Sequence, residues 1–188
     1  MDRKLLITIH MYLAAFFTPA VLLVAISGGL YLAGFKGDVE QKTIFSNSDI
    51  TIDSKSASLH ADVAALLSSA GVKSYSFEYV KVRGTDFYTR PTSSDYYIIK
   101  TNSGGVDVIF ARPNLQSRLM ELHKGHGPST FKTFQKIFAV ALTFIICSGL
   151  WLGISNVRLR RSALLTATAG AFFCVSTHLA GKPKPLTH

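Results

Sequence analysis

No cysteine lies between Lys36 and Lys136, the stretch that carries most of the chain's charge. That absence excludes a disulfide framework or a thiolate zinc site there. Cys147 and Cys174 both fall inside apolar runs, where a thiol ordinarily serves as a small packing residue. Charge is scarce overall. Only 16% of residues are Asp, Glu, Lys or Arg, against about 25% in ordinary soluble domains. It is absent altogether from Leu5–Phe35, Ile137–Val157 and Ser162–Gly181. Each stretch reaches the roughly 20 residues that a helix needs to cross a hydrocarbon core. Also missing are a nucleophile–base–acid set, a phosphate loop and a dinucleotide fingerprint, so no catalytic residue is assigned.

The formal net charge of +9 suggests nucleic acid until it is divided along the chain. Residues 36–136 hold 13 Lys/Arg and 10 Asp/Glu, close to balance. Most of the excess flanks the apolar runs: Arg3 and Lys4, then Arg158, Arg160 and Arg161, then Lys182 and Lys184. Basic residues in such places set topology and meet anionic lipid. A nucleic-acid footprint needs a basic face on the soluble domain, so nucleic acid is not an expected partner, whereas membrane lipid is. The first apolar run, at 31 residues, exceeds the 7–15 of a signal h-region and reads as an uncleaved anchor. Arg3, Lys4 and the three later arginines place their side in the cytoplasm by the positive-inside rule. The polar domain is then periplasmic or extracellular.

The chain accordingly reads as a membrane α+β protein with two or three transmembrane helices. The first helix occupies residues 1–35, with Pro19 a candidate kink. An extracytoplasmic domain covers 36–130 and the second helix 131–157. A basic turn, a third helix over about Ala163–Gly181 and a short tail outside complete 158–188. Within the domain, alternation predicts a short strand at Asp49–Asp53 and extended chain over Lys73–Arg83, with Tyr75, Phe77 and Tyr79 on one face. Ser58 is placed to cap a helix carrying Leu59, Val63, Leu66 and Leu67, which Gly71 ends. Strands follow at Phe87–Arg90, Tyr96–Lys100 and Val106–Ala111, with a Gly-rich turn at Thr101–Gly105. Pro113 is placed to open a helix carrying Leu115, Leu119 and Leu122. The sum is one helix over a meander of three or four strands, then a helix leading back to the membrane.

Helix one ends in Ile26-Ser27-Gly28-Gly29-Leu30-Tyr31-Leu32, helix two in Cys147-Ser148-Gly149-Leu150-Trp151-Leu152-Gly153, and Leu122-His123-Lys124-Gly125-His126-Gly127 precedes helix two. With His10 near the start of helix one, this ordered set resembles the PepSY-associated transmembrane helix family of bacterial inner-membrane proteins. The resemblance spans nearly the whole chain, and residues 36–130 look like a PepSY domain. It implies an inner-membrane protein whose domain faces the periplasm. Two functional classes follow. The first is a non-enzymatic binding or accessory module, with a protein partner or a second copy in the membrane, one form being restraint of a peptidase. The second is a haem-binding transmembrane electron-transfer protein akin to ferric-siderophore reductases, with haem b as cofactor.

The histidines carry the second expectation. His10 sits about 9 Å inside helix one, where a polar group is costly and often functional; a hydrogen bond to a neighbouring helix is the plainer reading. His123 and His126 flank a glycine and are candidates for metal or haem iron; a polar loop at the membrane surface is the plainer reading. His178 lies near the outer end of helix three and reads more simply as an interfacial residue. His60 and His188 read as surface residues. If haem is bound, the expected axial pair is His123 or His126 with His178. His10 lies about 15 Å away along the membrane normal, unless a two-fold dimer pairs it with its own copy.

Overall fold

The computed structural model describes residues 2–102 and 105–180. The Lys182–His188 tail, His188 included, and the middle of the Thr101–Gly105 turn lie outside the described residues. The chain divides into two compact units, Met1–Phe17 with Ala139–His188, and Thr18–Phe138.

Three helices are long and apolar enough to cross a membrane: α1 (Arg3–Leu32), α4 (Ser129–Ile154) and α5 (Arg160–Ala180). The third apolar run is thus a full 21-residue helix. α1 has 30 residues, about 45 Å at 1.5 Å each, and it continues unbroken through Pro19. These helices leave Leu22, Ile26, Ile137, Val140, Ile146, Leu165 and Phe172 exposed. Apolar surface on that scale calls for a non-aqueous neighbour.

The second unit holds a five-stranded antiparallel sheet in the order β1-β5-β4-β3-β2. Its strands are β1 (Val39–Asn47), β2 (Tyr79–Arg83), β3 (Asp86–Arg90), β4 (Tyr96–Asn102) and β5 (Gly105–Pro113). Consecutive strands β2 to β5 form the expected meander, and β1 joins the far edge through Val39↔Pro113 to Asn47↔Val106. Helix α2 (Leu59–Ser69) covers one face. There Val63, Leu66 and Leu67 meet Phe77, Phe87, Ile99, Val106 and Val108. Each fully buried side chain of this size contributes about 1.5–3 kcal/mol.

Several expectations need correction. The strand anticipated at Asp49–Asp53 is not one; β1 lies earlier. Ile50 and Ile52 do turn to the core, so the alternation reported burial, but no neighbouring strand offers them a ladder. Lys73–Phe77 is likewise outside any strand, and pairing with β3 starts at Glu78, whose N–H donates to the Arg90 carbonyl at 2.8 Å, and Tyr79. The phase also slips: Phe77, Val80 and Val82 face the core while Tyr79 faces out. Ser58 stands at the start of α2, yet its hydroxyl bonds to Asp62 rather than to a backbone N–H. Pro113 ends β5 instead of opening a helix. α3 (Leu115–His123) is capped by Asn114, whose side chain accepts from the Ser117 N–H at 2.9 Å, the standard device for an unpaired first-turn donor. The sheet, moreover, is apolar on both faces. Tyr96, Ile98, Ile109 and Ala111 form a second cluster opposite α2.

The domain grips the start of α4. Glu78 accepts from the Ser129 N–H at 2.8 Å and from its hydroxyl at 3.0 Å. The Tyr79 hydroxyl meets Lys132 Nζ at 3.1 Å. A carboxylate is favoured at a helix N-terminus, and the backbone hydrogen bond from Ser129, ahead of its hydroxyl and Lys132, holds the Glu78 carboxyl below the usual range. Glu78→Gln should therefore speed amide hydrogen exchange across Ser129–Lys132 while leaving β4 and β5 unchanged. Equal exchange in both proteins would refute the grip.

Candidate functional site

Two histidines have turned inward onto serine–glycine pairs. In the first unit, His10 Nδ1 lies 2.8 Å from Ser148 Oγ. A Cβ on Gly149 would come within 3.2 Å of the His10 ring. In the second unit, His123 Nδ1 lies 3.1 Å from Ser27 Oγ, and a Cβ on Gly28 would come within 3.2 Å of the His123 ring. The two Ser-Gly motifs thus do the same thing. The serine takes the imidazole nitrogen and the glycine makes room for the ring. Close approach at Gly28 is by a side chain rather than by another helix backbone. Both serines are buried and also point their hydroxyls at backbone carbonyls, Ser148 to Ile145 and Ser27 to Val24. A hydroxyl has one proton to give. Each hydroxyl is thus shared between an imidazole Nδ1 and a backbone carbonyl, and the tautomer of the imidazole sets which member of each His–Ser pair donates.

His123 also lines an apolar groove of about 360 Å³ with Pro19, Leu23, Val24, Phe131 and Phe138. Gln135 is the groove's other polar residue, and its amide donates to the Leu122 carbonyl at 2.7 Å.

His126 goes elsewhere. α3 ends in Gly125 at φ +76, with the Gly125 N–H on Leu122 O and the His126 N–H on Glu121 O. This left-handed closure, which glycine allows at little cost, folds His126 back onto its own helix. Its Nδ1 reaches Glu121 Oε2 at 2.7 Å. Glu121 is a junction. Thr92 Oγ1 donates to it at 2.5 Å, Lys124 lies 3.6 Å away, and Arg90 Nη1 lies 3.7 Å away. Arg90 Nη1 in turn donates to Thr92 at 2.6 Å. Burial, the largest single influence on Glu121, favours its neutral form, but hydrogen bonds from Thr92 and His126 with the charges of His126 and Lys124 together outweigh it. The carboxyl is held below its usual range.

These groups wall a cavity of about 500 Å³ on the sheet face opposite α2. Its floor is Val39, Tyr88, Arg90 and Tyr96; α3 supplies Ser117, Met120, Glu121 and Lys124; Tyr31 and Lys36 come from the end of α1 and just beyond. Sequence reading missed Arg90, Thr92 and Glu121. Residues 90 and 121 share no spacing, and only the docking of α3 beside β3 and β5 unites them. His178, by contrast, is exposed on α5 and enters none of these pairs, and His60 stacks on Phe77. Among the described residues, no three His, Cys, Asp or Glu side chains gather as a metal site would require.

The class defined by these observations is, among the described residues, an α+β domain joined to three span-length apolar helices, with a polar cavity between sheet and helix. Compared with sequence families, curated proteins and solved structures, the chain matches none.

Proposed function

We propose that this chain is a PepSY-type protein of the bacterial inner membrane, a non-enzymatic binding or accessory module whose domain is presented to the periplasm. The observation that carries the reading is the cavity of about 500 Å³ between α3 and the sheet. It is lined by charged groups and tyrosine hydroxyls that suit recognition, with no activated nucleophile among them. The helix lengths and the arginines after α4 support the membrane topology. Affinity purification from detergent followed by native mass spectrometry tests the binding role. The expected result is a bound mass or a stable protein partner, and a chain that comes through bare and alone refutes it. Protease treatment of right-side-out membranes tests the topology. A domain cut only from the cytoplasmic side overturns it.

A second reading, haem-based electron transfer, has one specific observation in its favour. His123 lines an apolar groove while Ser27 holds its Nδ1, and a partner on one ring nitrogen is the outer-shell arrangement that orients a metal-ligating imidazole. The groove fits one axial ligand, His123, and haem b bound there would supply one-electron transfer. A visible spectrum of the purified protein decides. A Soret band lost in His123→Ala supports this reading, and a featureless spectrum after haem addition ends it.

A further inference from the structure

We propose that the cavity between α3 and the sheet is an anion site for a phosphate-bearing ligand, an inference that rests on the binding-module reading. Four cations line it, Lys36, Arg83, Arg90 and Lys124, against one carboxylate, Glu121. The ammonium groups of Lys36 and Lys124 lie 5.8 and 5.7 Å from the centre of the same Tyr31 ring. Like charges are thus gathered at one rim, where the Tyr31 ring and Glu121, 3.6 Å from Lys124, offset them only in part and a bound anion would add to that.

Arg90 is the second, independent sign. Only 6% of it is exposed, and its Nε is the buried side-chain nitrogen or oxygen without a hydrogen-bond partner among the described residues. A buried donor left unmade is costly. A guanidinium offers Nε and a terminal nitrogen as a planar fork matched to two oxygens of one phosphate. Glu121 engages Arg90 through Nη1, at 3.7 Å, and a phosphate in the cavity would meet the buried Nε only with a small shift of the Arg90 side chain toward it. Tyr88 and Tyr96 on the floor add hydroxyl donors.

The cavity exceeds a bare phosphate, so the ligand carries more than its anionic group. Tyr31 belongs to the last turn of α1, a helix long and apolar enough to span a membrane, which puts two sources within reach. One is the phosphodiester of an anionic lipid. The other is a soluble phosphate or phosphate ester.

The full chain in neutral detergent is titrated with inorganic phosphate and, separately, with short-chain phosphatidylglycerol, phosphatidylcholine serving as control. Saturable binding that weakens about tenfold in Lys36→Gln and in Lys124→Gln is expected, because each substitution removes one charge-assisted contact. Glu121→Gln should tighten binding, since it removes the cavity's one negative charge; a merely structural cluster would not respond with that sign. Binding of phosphate identifies a soluble source. Binding of phosphatidylglycerol without phosphate or phosphatidylcholine identifies lipid. Both support the site. Folded protein that binds neither, or binding indifferent to all three substitutions, overturns it. Native mass spectrometry separates the two failures. A bound mass that persists without phosphate affinity ends the anion inference alone, whereas a bare and partnerless chain ends the binding-module reading with it.

Discussion

Replacing Glu121 with Ala should cost the domain about 3 kcal/mol at neutral pH, the lower end of what breaking a buried ion pair costs. Arg90 and Glu121 have side chains 7% and 23% exposed, so the deletion leaves the Arg90 guanidinium in the interior with Thr92 as its remaining partner. The same change strands the Thr92 hydroxyl and His126 Nδ1, which both bond to Glu121. The effect has a pH signature. The folded-state carboxyl is held below its ordinary value of 4.5, so its contribution is fully present above the unfolded value. It is lost as pH falls through the lower folded value. Urea unfolding of the full chain in detergent should therefore show a gap between wild type and variant that is constant near neutrality. The gap should narrow only in acid. A gap that persists unchanged in strong acid would mean that the side chain acts by packing alone.

Phe87→Ala should destabilise the same domain by about 3–5 kcal/mol, the range for emptying an aromatic site in a close-packed core. Phe87 is 1% exposed and sits among Val63, Leu66, Leu67, Ile99 and Val108, where α2 closes over the sheet. Its backbone is tied on both sides, to Val82 of β2 and Ile99 of β4, so the strands resist collapsing into the void. Leu115→Ala is the control. Leu115 is 72% exposed, and its truncation should change stability by no more than about 0.5 kcal/mol. Comparable losses from the two substitutions would contradict the placement of the core on the α2 side.

Much of the architecture was legible because the governing forces are one-dimensional. An uncharged run of some twenty residues is a span-length helix wherever the chain goes, and α1, α4 and α5 appeared where charge was missing. The β3–β4–β5 meander was legible too, because turn residues and alternation mark its strands locally. β1 was misplaced because strand pairing is a tertiary matter. Asp49–Asp53 alternates more regularly than Val39–Asn47, but only the latter finds the free edge of β5.

The histidines divide along the same line. Their candidacy came from the sequence, since an imidazole in or beside an apolar run must be satisfied by something. What satisfies each one was decided by folding. Ser148 receives His10, Ser27 receives His123, and Glu121 receives His126. The serine–glycine motifs were visible as words, but their use as sockets depends on residues 96 and 138 positions away. Arg90 shows the limit most clearly. At the end of a strand it reads as an ordinary surface cation, because nothing local marks it for burial. Burial comes from α3, which returns along the second apolar face and brings Glu121 to the guanidinium. The sequence by itself determined which segments avoid water and which residue types must find partners, because hydrophobicity and periodicity are properties of neighbours in the chain. The partners, and with them the cavity, were decided only by tertiary structure, because contacts between distant residues exist only once the sheet and α3 have closed around them.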